Sequence, residues 1–265
     1  MEEIRDLIPI PMLFVLTLVL AFAFIGAGRW LGRRAVARGA EAEGPIGASV
    51  GATLGLLAFV LAFTFSMAAS RFDARKALVV KDANAIGTTY LRTWLLPEPV
   101  GAELRVHLRQ YVAIRLDGAL HKNNYAAFLT GSDELQRAMW QRASPLAAEQ
   151  PTSTSLPLFI GALNEMIDVH GERIAIQRNR IPMTIWAFMF ASTAIGMLAM
   201  GYQAGVSGAR IGAPVTCLAV AFAGVIMLIS DLDRSQEGFL RISQQSMLEL
   251  QQGMEADAAA DGAAR

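Results

Sequence analysis

Four apolar windows without one internal charge constrain this chain more than any other feature. They are residues 10–27 (IPMLFVLTLVLAFAFIGA), 47–69, 183–202 (MTIWAFMFASTAIGMLAMGY) and 211–230 (IGAPVTCLAVAFAGVIMLIS). A bilayer core takes about 20 apolar residues of helix, so the chain reads as an all-α protein with four membrane spans. The 54% hydrophobic content and mean hydropathy of +0.39 agree. Gly26, Ala27 and Gly28 at the end of the first apolar run suggest a signal-peptide cleavage site. However, the apolar core is long for that role and its N-terminal flank is not basic, so the window reads as a retained span. Cys217, the single cysteine, lies in the fourth window, which excludes an intrachain disulfide. The net charge of zero carries no signal for nucleic acid.

Residues 70–182 form a polar insert with helical patterning. Phe72, Val79, Ala83, Ile86, Tyr90 and Trp94 recur at three- and four-residue steps, with no break from the second span, and that helix should end near Leu95, before Pro97 and Pro99. A second insert helix is expected over 102–122, with Leu104, Leu108, Tyr111 and Val112 on its apolar side. A third should begin near Ser132, where SDEL resembles a cap, and stop before Pro145. The stretch 148–157 reads as a loop, and a last helix over 157–180 meets the third span at a kink marked by Pro182. Residues 255–265 (EADAAADGAAR) lack apolar surface and are expected to be disordered.

Within the second span, Gly47, Gly51 and Gly55 repeat every fourth residue. Small residues at that step let helices approach closely in a membrane. The spacing fits packing inside one subunit and packing between subunits equally. Phe59, Phe63 and Met67 continue the row. Each four-residue step advances about 40° around a helix, so the three share one face. Bulky apolar groups on such a face narrow a pore and gate it by dewetting, or else form an ordinary lipid- or helix-packed stripe. Arg71, Arg75 and Lys76 follow at the membrane boundary, where basic groups either concentrate anions at a pore mouth or anchor the helix in the interface.

Enzyme chemistry finds no support, and none is expected. His107, His121 and His170 lack metal-ligand spacing, and Glu165 and Asp168 read as a solvated face. No phosphate loop, dinucleotide fingerprint or nucleophile elbow occurs. Asp231, Asp233 and Glu237 follow the fourth window without the full oxygen-ligand loop of a hard-cation site. No metal or cofactor is expected. Basic residues in the short loops argue for one orientation in the membrane and those at the ends of the insert for the other, so charge alone leaves the topology open.

Two stretches resemble the bestrophin-like domain family, membrane proteins of bacteria and plants. One is residues 63–99 (FTFSMAASRFDARKALVVKDANAIGTTYLRTWLLPEP), carrying Asp73 and Asn84. The other is 228–251 (LISDLDRSQEGFLRISQQSMLELQ), carrying Asp231, Asp233 and Arg234. The chain departs from the family pattern at Lys81-Asp82 and at Ser235. The resemblance implies one multi-pass domain over 1–265 in a bacterial inner membrane, with 70–182 as a cytosolic insert and 231–265 as a cytosolic tail. Through distant kinship with bestrophins, which are pentameric anion channels, it implies a homo-oligomer, a pentamer before other states, passing small ions and anions above all. Phe59, Phe63 and Met67 match the positions of a bestrophin neck. Two other readings remain: a non-conducting scaffold or sensor whose insert binds a protein partner, and a proton-driven stator using Thr184, Thr193 or Thr216.

Overall fold

The computed structural model describes residues 8–39, 46–120, 125–234 and 238–263, and all regular structure among them is helical. The helices are α1 (Ile10–Ala37), α2 (Ile46–Thr93), α3 (Val100–Leu120), α4 (Tyr125–Glu149), α5 (Ser155–Arg178), α6 (Met183–Val206), α7 (Ala213–Asp233) and α8 (Gln245–Ala263). The four apolar windows fall in α1, α2, α6 and α7, each long and apolar enough to cross a membrane. Prolines at the starts of α1 and α7 cost no hydrogen bond, because the first N–H groups of a helix have no partner within it. α2 carries the second window and its polar continuation in one run of 48 residues, and Gly87 does not interrupt it.

The chain divides into two compact units. The first comprises the chain up to Phe72 and Arg180–Leu240. Here α1 packs on α6 and α7. Leu57, Leu61, Trp186, Met189, Ile226 and Ile229 form one apolar cluster, and Ala21, Ile25, Val50, Met197 and Ala219 form another. The α1–α6 crossing rests on glycine. A Cβ on Gly28 would lie 2.0 Å from the Leu198 carbonyl oxygen, and one on Gly201 would lie 2.1 Å from that of Ile25. Gly32 and Gly205 are similarly confined, at 2.3 Å from Tyr202 O and 2.4 Å from Arg29 O. Two rows of small residues four apart therefore bring the backbones into direct contact, the packing mode available where lipid supplies no hydrophobic drive.

The second unit, Asp73–Asn179 with Arg241–Arg265, is a helical bundle with an apolar core. Ile86, Leu104, Leu108, Tyr111, Met139, Phe159, Leu163 and Met166 are fully buried there. Three expectations need correction in this unit. Helix α4 begins at Tyr125, with Ser132 buried inside it rather than capping it. α4 also runs through Pro145 to Glu149. The proline sits in the last turns, where only one ladder bond is lost, and the buried side chains of Ala143 and Leu146 keep the segment on the core. The tail is helical to Ala263. Met247 and Met254, seven residues apart on one face, are buried in this core and anchor α8, and the alanine-rich sequence beyond them continues the helix at little cost.

At Pro182 the chain breaks rather than kinks. α5 ends at Arg178, Asn179 is extended, and α6 starts at Met183. The carboxylate of Asp233 accepts the Ile181 N–H at 2.9 Å, which satisfies a backbone donor that the break would otherwise leave buried and unpaired.

Candidate pore-lining face and a buried charge cluster

In the first unit, α2 has two unlike faces. Val50, Leu57, Leu61, Thr64 and Ala68 are buried, and the Thr64 hydroxyl donates to the Val60 carbonyl at 2.7 Å, so it makes no polar demand on its neighbours. On the other side Gly51 and Gly55 are exposed, and a Cβ on either would meet nothing within 4 Å among the described residues. Gly47 faces the Gln203 amide, 3.1 Å from where its Cβ would be. Phe59 and Phe63 continue the open row at 68% and 61% exposure. Met67 has turned far enough to be partly buried against the Leu57–Ile229 cluster. Arg71, at the end of the unit, is half-buried. In the second unit, the continuation of α2 buries Arg75 and exposes Lys76.

The motif residues take different roles. Asp73 and Asn84 are exposed. Asp231 and Asp233 are buried, and their oxygens serve the backbone. Asp231 accepts the N–H groups of Phe239 and Leu240 at 2.9 and 3.1 Å, against Gly238 at φ 142°, a conformation that favours glycine. With Asp233 holding Ile181, both carboxylates fix chain direction at the ends of α6 and α7. Arg234 is buried beside them. Glu237 lies outside the described residues.

The second unit holds a charge cluster that sequence reasoning missed. Asp82 on α2 is fully buried and accepts from Arg115 of α3 and, at 2.7 Å, from Arg173 of α5. Arg115 also meets Nδ1 of His170 at 2.7 Å. The Tyr111 hydroxyl stands 3.1 Å from the same nitrogen and accepts from Gln136 of α4 at 3.0 Å. Arg173 donates to the Gln244 side chain at 3.2 Å. Burial, then the Arg115 charge, push His170 down from the usual 6.5 to about 4, so the imidazole is neutral. Burial pushes Tyr111 up to about 12, with Arg115 opposing. Burial, then Arg115, also lower Arg173. Two guanidiniums on one carboxylate make a cross-link among three helices that tolerates no loss of its anion. The spacing held a signal: Leu104, Leu108, Tyr111 and Arg115 lie on one helical row, as do Leu163, Met166, His170 and Arg173. Each charge thus sits where the pattern calls for a core residue.

Residues 14–247 match the Bestrophin-like domain, and the chain belongs to that family. The fold agrees. A bacterial bestrophin homologue from Klebsiella pneumoniae has a TM-score of 0.65 to this chain at 12% identity, covering 92% of this chain and 97% of that one. A mutant of that homologue gives 0.66 at 14% identity with the same coverage. A further solved membrane protein gives 0.67 at 12%, covering 92% and 96%. No curated protein matches the chain significantly in sequence. This is a helical, bestrophin-like membrane protein.

Proposed function

We propose that the protein is a homo-oligomeric ion channel of a bacterial inner membrane, with the open face of α2 lining the pore. The observation that carries this reading is the asymmetry of α2. One face is buried in its own subunit, while Gly51, Gly55, Phe59 and Phe63 form an exposed row along the other. Glycines at the wide end of that row let copies of α2 crowd around an axis, and the phenylalanines narrow it to an apolar neck, with Met67 at its lower edge. The family resemblance favours five copies, a cytosolic second unit and anions as the permeant species. Arg71, at the end of the first unit, supplies positive charge beyond the neck.

The test is conductance in planar bilayers. Phe59→Ala with Phe63→Ala widens the neck and lets water remain in it, so current should rise above the wild type. A double variant that assembles normally yet conducts nothing contradicts the channel and favours the scaffold or sensor. That second reading draws on a groove of about 510 Å³ between α4 and α5, lined by Asp133, Gln136, Arg137, Trp140, Gln141, Asn164 and Ile167.

A further inference from the structure

The exposed face of α1 is ordered like a phospholipid. Met12, Val15, Val19 and Phe22 are exposed apolar groups at helical spacing. Gly26 leaves open space on the same row, Trp30 follows at 55% exposure, and Arg33 lies beyond it. From Met12 to Trp30 is 18 residues, about 27 Å at 1.5 Å per residue, close to the roughly 30 Å of a hydrocarbon core. Trp30 thus falls at the interface, where indoles concentrate, and Arg33 and Arg34 fall at headgroup level.

Five arginines fall at this end of the first unit, four on the last turns and C-cap of α1 and one in the turn between α6 and α7. The Arg34 guanidinium lies 4.3 Å over the Trp30 ring, which holds it at the surface. Arg33, Arg38 and Arg210 are exposed. Arg210 belongs to the turn between α6 and α7. That turn is fastened to α1 by Arg29, whose Nη2 donates to the Ala209 carbonyl at 3.2 Å, and by the glycine crossing below it. Among the described residues no carboxylate pairs with any of the five. In sequence, Glu41 and Glu43 follow Arg38 outside the described residues and leave the basic groups in excess.

We propose that this end of the α1–α6 pair binds the phosphate of an anionic phospholipid, with the acyl chains along the Val15–Phe22 row and the phosphate between Arg33, Arg34 and Arg210. Guanidinium forks match phosphate oxygens, and the apolar row beneath them selects a lipid over a free anion. Each arginine near an anionic surface contributes about fivefold to partitioning.

The full-length protein is reconstituted in equal phosphatidylglycerol and phosphatidylcholine and extracted in mild detergent, and the retained lipid is counted by mass spectrometry. Phosphatidylglycerol should be enriched at least fivefold. Arg33→Gln/Arg34→Gln/Arg210→Gln, all at exposed positions, should bring the ratio back toward one, while Arg142→Gln, exposed on α4 in the second unit, should leave it unchanged. Inorganic phosphate against chloride at matched ionic strength should not displace the lipid. Equal retention of both lipids by the wild type, enrichment that survives the triple substitution, or displacement by inorganic phosphate would each overturn the proposal.

Discussion

The two units hold their helices together by different physics. In the first, α1 and α6 touch backbone to backbone at Gly28, Gly32, Gly201 and Gly205, and a modest apolar cluster joins Ala21 and Ile25 to Met197 and Met200. In the second, large apolar side chains fill a core of the kind water drives together, and a buried Asp82–Arg115–Arg173 cluster ties α2, α3 and α5 to one another. Surrounded by lipid, helices gain little by burying leucine, so contact area and small residues decide. Surrounded by water, apolar burial supplies the drive and polar groups supply register. α2 serves both units, and only in the first does it leave a glycine row unfilled.

The largest effect should come from the closed glycine rows. Gly28→Ala and Gly201→Ala each place a methyl group about 2 Å from a carbonyl oxygen, a gap no rotamer relieves. Neither variant should give a monodisperse peak on size exclusion in detergent. A normal peak from both would mean that the α1–α6 crossing does not depend on its glycines, and the contrast between the units would fall.

Next is the charge cluster. Asp82→Asn leaves two buried guanidiniums without an anion and should destabilise the second unit by about 3–5 kcal/mol, read as a lowered unfolding midpoint. Asp73→Asn, at an exposed position of the same helix, should change the midpoint by less than about 0.5 kcal/mol. Similar losses from both would remove the cluster from the account.

A smaller effect follows from His170. Its folded value of about 4 lies below its usual 6.5, so the unfolded chain binds the extra proton first. The stability linked to His170 is complete above pH 6.5 and falls as the pH drops from 6.5 to about 4. Thermal melts in that window should slope for the wild type and flatten for His170→Gln. Equal slopes would show that the imidazole titrates normally.

The smallest effect on a single subunit should come from the open row. At Gly55 a Cβ meets nothing within 4 Å among the described residues, so in Gly55→Leu secondary structure and subunit stability should hold while the oligomer is lost. Retention of the native oligomeric mass would place Gly55 against lipid.

Hydropathy made the four spans legible, because charge-free windows of that length have few other fates. The length of α2 was legible too, since nothing between its apolar and polar halves stops a helix. Which glycine row closes within the chain was not. Gly28-Gly32, Gly201-Gly205 and Gly51-Gly55 share one spacing, and only the fold shows that the first two face each other. The charge cluster was hidden by distance, since Asp82, Arg115 and Arg173 meet only when three helices pack. Pro145 and the tail misled for a local reason: a proline late in a helix and an alanine-rich end with no core of its own are both held helical by buried neighbours, Leu146 and Met254. The acidic residues after the fourth span looked like an incomplete cation site until the backbone partners of Asp231 and Asp233 were visible.

If α2 lines a pore, its open face meets other copies of itself around an axis. The most direct measurement is cross-linking in native membranes with a short bis-maleimide, after Cys217→Ser removes the native thiol. Phe59→Cys should give covalent dimers and higher species, because neighbouring copies bring the same position together at the neck. Val15→Cys, on the exposed face of α1, should remain monomeric. Monomers only from Phe59→Cys, with cross-links from Val15→Cys instead, would place lipid against α2 and contradict the pore-lining face.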